Sequence, residues 1–203
     1  MFMTIEQQIE NSVLKGPHVV LLGAGASVAT IPNGDKFGHK ISAMEGFIDK
    51  LGLSKVISNV NLKTTSENLE AIYSELDSRE DCKEVKKQLE EAIYYYFSDI
   101  EIPNEPTIYD FLILSLRSKD YIFTFNWDDL LIQAYVRMMK ITTDLPQINF
   151  LHGNVGIKYC KKCHTVQLKY NTKCINCGKS LDKDSIPPLL FPVSNKDYIS
   201  LSL

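Results

Sequence analysis

Two Cys-x-x-Cys pairs, Cys160 with Cys163 and Cys174 with Cys177, carry the most specific chemistry in this chain of 203 residues. Each pair sets two thiolates on one tight turn, and two such turns with ten residues between them match a tetrahedral four-thiolate zinc site. A closed set of four sulfurs has no open coordination position, so the expected zinc is structural rather than catalytic. Zinc with four thiolates carries a formal charge of about −2. Lys158, Lys161, Lys162, Lys169, Lys173 and Lys179 crowd the same module, where they are expected to favour the ionised sulfurs. A redox dithiol fits less well, because neither pair opens a helix after a strand. Cys82, outside both pairs, reads as a buried or half-buried free thiol with no chemical role.

The second chemical signal is the run His18-Val-Val-Leu-Leu22 followed by Gly23-Ala24-Gly25-Ala26-Ser27. An apolar β-branched run that breaks on two glycines and reaches a serine reads as strand, tight turn and helix N-terminus, the arrangement by which parallel α/β folds hold a dinucleotide pyrophosphate. A glycine-rich turn of this kind serves equally well as plain chain reversal. Val28 stands where the third glycine of the dehydrogenase fingerprint belongs, which argues against an ordinary oxidoreductase. Two further apolar strands are expected, Tyr121–Phe125 running into Asn126-Trp127-Asp128, and Ile148–Leu151 running into His152-Gly153. In open parallel sheets the ligand lies beyond the carboxyl ends of the strands. Gly23–Ser27, Asn126–Asp128 and His152 are therefore candidates for one shared cleft.

The elements that must position these residues are mostly helical. Hydrophobic residues at 44% and charged ones at 23% describe a globular chain with room for one sizeable core and a small appended module. Helices are expected over 3–14, over 37–51, through most of 53–102, from a Thr107 cap to Leu116, and over 129–139. Thr64-x-x-Glu67 reads as a capping box, and Ile108, Phe111, Leu112 and Leu116 as the apolar side of the helix that Thr107 opens. Tyr94-Tyr95-Tyr96 reads as a core-and-rim patch. The formal charge of −3 gives no global reason to expect a nucleic-acid partner. The N-terminal segment lacks the pattern of a signal peptide, and no apolar run reaches the ~18 residues that span a bilayer. With the paired thiols, this points to the cytoplasm.

Taken in order, Gly23-Ala-Gly-Ala-Ser27, a loop with Ile31-Pro32, Thr124-Phe125-Asn126-Trp127-Asp128, Leu151-His152-Gly153 and the two cysteine pairs resemble the sirtuin-type NAD-consuming superfamily. The resemblance implies a Rossmann-like parallel sheet over 1–157 with a helical insertion at about 53–105, a zinc-binding module over 158–184, and a return segment over 185–203. It also implies cleavage of the bond between nicotinamide and ribose. Asn126 would sit near that ribose and orient the attacking water or acyl oxygen. His152 would be the general base, a role suited to an imidazole titrating near neutrality. Gly23 to Ser27 and Phe125 would contact the cofactor, and Asp128 would fix the nicotinamide carboxamide or cap the helix behind it. Asp35, in the loop beside the glycine turn, is chosen over Glu45 as an acidic contact.

Protein-deacylating sirtuins carry Gly-Ile-Pro-Asp-Phe-Arg where this chain reads Thr30-Ile31-Pro32-Asn33-Gly34-Asp35, and Gln-Asn-Ile-Asp where it reads Phe125-Asn126-Trp127-Asp128. Both departures resemble the bacterial anti-phage-defence branch, which hydrolyses NAD. The expected function is an NAD glycohydrolase giving nicotinamide and ADP-ribose. The alternatives are a protein-lysine deacylase and a non-catalytic module that binds NAD and zinc. In the family another strand and at least two strand–helix units follow the zinc module. Pro187–Pro192 can supply the first, so the chain reads as C-terminally truncated, a fragment or one part of a split or oligomeric site. A defence-system partner or a second copy is the expected protein contact.

Overall fold

The computed structural model describes residues 4, 7, 16–41, 46–181 and 189–191. The helix expected over 3–14 and the return segment lie largely outside them. Strand β1 (Val19–Leu22) runs through Gly23 directly into helix α1 (Ala24–Thr30). Two short helices, α2 (Phe47–Lys50) and α3 (Ser54–Ser58), lead to α4 (Leu69–Asp77), a single 3₁₀ turn at Glu80–Cys82, and the long α5 (Lys83–Ser98). Helix α6 (Ile108–Ser115), strand β2 (Tyr121–Thr124), helix α7 (Leu130–Met138) and strand β3 (Gln147–Phe150) follow. Strands β4 (Ile157–Cys160) and β5 (Thr165–Leu168) form a separate antiparallel pair.

The architecture is mixed α/β, with β1, β2 and β3 pairing in parallel in the order β1-β2-β3. Ile122 is fully buried on one face of this sheet, with Val20, Leu22 and Ile148 packed on the same core. The opposite face is thinly covered, with Val19 66% and Leu21 64% exposed. The core continues into the helical segment through Leu69, Leu76, Leu89 and Ile93. There Phe191, from the segment after the cysteine pairs, stacks on Tyr73 and tilts against Trp127.

Several local expectations need correction. Residues 37–51 are not one helix: turns run from Ile31 to Gly38, and Gly38 and Gly46 both take positive φ, which interrupts the helical path. Thr64 does not open a capping box. The Glu75 carboxylate accepts the Lys63 and Thr64 backbone N–H groups at 2.6 and 2.7 Å, and Asn68 caps α4 instead. On α6 the buried side is Tyr109 and Ile113, while Ile108 and Phe111 are exposed. Its capping box is present, with Thr107 and Asp110 bonded reciprocally, and Asp110 also pairs with Arg137 of α7. Cys82 is buried and free, and Tyr95 stands exposed between half-buried Tyr94 and Tyr96.

Candidate functional site

Leu22, Thr124 and Phe150 lie opposite one another in register, so all three strands of the sheet end on one edge. Backbone bonds continue the alignment by one residue, from Phe125 N–H to Leu22 O at 3.0 Å and from Leu151 N–H to Thr124 O at 2.9 Å. Asn126, only 8% exposed, therefore reaches across to the glycine turn. Its amide nitrogen donates to Gly23 O at 3.0 Å, Ser27 Oγ at 2.8 Å and Tyr109 Oη at 3.3 Å. Ser27 Oγ and Tyr109 Oη share a further bond of 3.0 Å. Three acceptors use up both amide protons, and the carbonyl Oδ1 takes part in none of these bonds. One strand over, the His152 ring stands edge-on to Phe125 with centroids 5.0 Å apart. The structure thus gathers Gly23, Ser27, Phe125, Asn126 and His152 at one end of the sheet.

A Cβ built on Gly23 or Gly25 meets nothing within 4 Å, and neither residue has a positive φ. Among the described residues nothing gives a packing or backbone reason for either glycine, and the space beside the turn is open. Ala24 is exposed, Ala26 half-buried and Ser27 buried. Asp128 is buried behind the turn, where its Oδ1 accepts the Leu130 N–H at 3.3 Å. Burial pushes its carboxyl up to about 6, with the neighbouring Asp129 adding to the effect against the Ser27 hydrogen bond. The buried Asp35 carboxylate accepts backbone N–H groups of Phe37, His39 and Glu101, which hold it below the usual carboxylate range although burial opposes this. Its oxygens build the loop from within. A cleft of about 450 Å³ opens between that loop and the 103–107 linker, lined by Thr30, Pro32, Asp35, Pro103 and Thr107 among others.

The four cysteines converge as their spacing implies. All four sulfurs lie within 4.8 Å of one another, with Cys160 to Cys177 and Cys163 to Cys174 at 3.8 Å. Sulfurs on a tetrahedron with metal–sulfur bonds of about 2.3 Å stand about 3.8 Å apart, so the cluster fits a zinc ion and is far too open for disulfides. The two turns are built alike. The N–H of His164 bonds Cys160 O and the N–H of Gly178 bonds Cys174 O, each at 2.8 Å, and both residues take positive φ, 53° and 70°. Although burial opposes it, the backbone N–H groups of Cys177 and Asn176, with the Gln167 amide at 3.1 Å, draw the Cys174 thiol down to about 5. Among the described residues no lysine ammonium reaches a sulfur. Lys158 bonds the carbonyls of Asn171 and Leu181, and Lys169 pairs with Asp129.

No protein-family model matches this chain, and no curated protein matches it either. Among the described residues, no helix is long and apolar enough to cross a membrane.

Three residues to which the sequence assigns no part in the cleft tie the site together, Lys169 among them being expected only to favour the ionised sulfurs. Tyr109 lies on the buried register of α6, four residues before Ile113, and its hydroxyl completes the Ser27–Asn126 network. Burial pushes that phenol up to about 12, with the Asp128 charge contributing. Asn154 is fully buried, and its amide nitrogen donates to Asn126 O at 3.2 Å and Asp128 O at 2.6 Å while its Oδ1 accepts the Gly156 N–H. Lys169, just beyond β5, donates its backbone N–H to Gly156 O and sets its ammonium 2.7 Å from Asp129. The cysteine-bearing hairpin is thereby fastened to the turn that carries Asn126. A polar residue three positions past an expected strand end was the available signal for Asn154; a lysine among five others gave none for Lys169's contact with Asp129.

Proposed function

We propose that this protein is an NAD glycohydrolase that releases nicotinamide and ADP-ribose, a reading its resemblance to the bacterial anti-phage-defence branch of the sirtuin-like proteins extends to a role in defence. The observation that carries it is the bonding of Asn126 to both Gly23 and Ser27, which puts a carboxamide with an unspent carbonyl beside an open glycine turn, with His152 one strand away. In a Rossmann-like sheet such a turn takes the pyrophosphate and the neighbouring strand ends face the riboside. Asn126 Oδ1 would accept a hydrogen from the attacking water, turning its lone pair toward the ribose anomeric carbon. The carbon–nitrogen bond to nicotinamide breaks with its electron pair leaving on the pyridine nitrogen, the water oxygen joins the carbon, and His152 takes the proton. The four-thiolate set would hold zinc in a structural role, with Lys169 and Asn154 passing the hairpin's rigidity to the Asn126 turn.

The test is chromatographic measurement of nicotinamide released from NAD by the purified chain. Turnover is expected without any peptide, and His152→Ala is expected to lower it by about 100-fold or more, the usual worth of a general base. Asn126→Asp keeps an acceptor oxygen but removes the amide donor that Gly23, Ser27 and Tyr109 share, so its turnover is read beside a thermal melt that reports the cost to the fold. Release that needs an acyl-lysine peptide would identify a deacylase, and binding of NAD without release would identify a non-catalytic module.

A further inference from the structure

Residues 157–181 contain six lysines and no aspartate or glutamate, so with a whole-chain charge of −3 the remainder of the protein carries −9. Two of these lysines have structural work, Lys158 on main-chain carbonyls and Lys169 on Asp129. The other four, Lys161, Lys162, Lys173 and Lys179, are exposed, and none has a carboxylate within ion-pairing distance among the described residues. Each is at most two positions from a cysteine of the cluster, and the four sulfurs lie within 4.8 Å of one another. Lys173 is moreover bridged to Ser180, and the Lys179 carbonyl accepts the Cys174 N–H. One metal centre therefore gathers four ammonium groups that the metal itself does not use, on an otherwise acidic protein. The side chains exposed among them include the hydrogen-bonding His164, Thr172, Asn176 and Ser180, the aliphatic Val166 and Ile175, and Tyr170, whose ring lies under the Lys169 ammonium at 5.6 Å.

We propose that the exposed side of this metal hairpin is a docking surface for a single nucleic-acid strand, the four free lysines meeting phosphates and Tyr170 meeting a base face. A nucleotide chain matches it better than a lipid surface, because the ammonium groups are interleaved with hydrogen-bonding side chains and an aromatic ring rather than backed by an amphipathic helix. It matches better than an acidic peptide because an exposed aromatic ring and several cations occur on the same hairpin. The proposal is independent of the NAD reading.

Fluorescence anisotropy of the full zinc-loaded chain with a labelled single-stranded oligonucleotide of about 20 nucleotides tests it. Neutralising about four phosphates gives a log–log salt slope near −3, so affinity should fall roughly sevenfold for each doubling of salt. Joint substitution K161E, K162E, K173E and K179E should weaken binding at least tenfold with zinc content and melting temperature unchanged. The corresponding four glutamine substitutions give the same test should charge reversal disturb the fold, and Y170A should weaken binding further without altering the salt slope. The proposal is overturned by absence of binding at low salt, by undiminished affinity in the lysine variants, or by equal competition from polyglutamate or from vesicles containing phosphatidylserine.

Discussion

The amide of Asn126 donates to the hydroxyl of Ser27 across 2.8 Å, joining residues 99 positions apart at the mouth of the parallel sheet. Because both atoms are buried and Tyr109 closes the triangle, removing any member strands a polar partner. Ser27→Ala and Tyr109→Phe are each expected to cost about 1–2 kcal/mol in urea unfolding. The double variant should cost less than their sum, since the two substitutions dismantle one shared network. Additive losses would show that the two hydroxyls act separately.

Asp128 gives a pH signature of definite sign. Its carboxyl is raised from 3.8 to about 6 by burial, so the folded chain binds that proton more tightly than the unfolded one. The stabilisation is complete below the unfolded value and is lost as pH rises through the folded one, leaving a buried carboxylate that costs up to about 3 kcal/mol at neutrality. Asp128→Asn should therefore unfold at higher urea than the parent at pH 7, with the advantage shrinking toward zero near pH 4. A difference that does not change with pH would refute the burial account.

Thiol counting checks the metal centre. The zinc-loaded protein should bind one equivalent of metal and shield Cys160, Cys163, Cys174 and Cys177 from a disulfide reagent such as Ellman's. Chelation should loosen the small cysteine cluster and release four fast thiols, and the fifth, Cys82, packed in the main core, should react only on unfolding. Four fast thiols before chelation would mean that the cluster holds no ion.

Gly156 is a glycine beside the Asn126 turn that packing demands. An added Cβ would stand 2.5 Å from Asp129 Cβ and 2.7 Å from Ile132 Cδ1. Gly156→Ala is expected to lower stability by about 1–3 kcal/mol, as overpacking of buried sites does. Because Asn154 links Gly156 to the Asn126 turn, the same change should reduce NAD turnover, which a paired melt and activity assay would read together. Unchanged stability would show that the loop shifts freely.

Local signals were legible where one short segment decides the outcome. β1, Gly23 and α1 follow directly from an apolar run broken by glycine, and the cysteine spacing alone anticipates the sulfur cluster. Contacts across the fold left no local trace. Glu75 takes the backbone N–H of Thr64 from 11 residues away, which displaces the expected cap to Asn68. Between Phe37 and Leu51 the apolar spacing is helical, but positive φ at Gly38 and Gly46 sends the chain through turns that periodicity does not register. On α6 the aromatic that faces inward is Tyr109, whose hydroxyl finds polar partners that only tertiary packing supplies.

Strand β1 has β2 on one side and no partner strand on the other among the described residues, and its Val19 and Leu21 stand open to solvent. An open apolar face of this sort is a surface that a second copy can cover, so purified material should self-associate as its concentration rises. A charged residue in place of Leu21 should keep it dispersed in sedimentation velocity runs, at little cost to the folded core on the other side of the sheet.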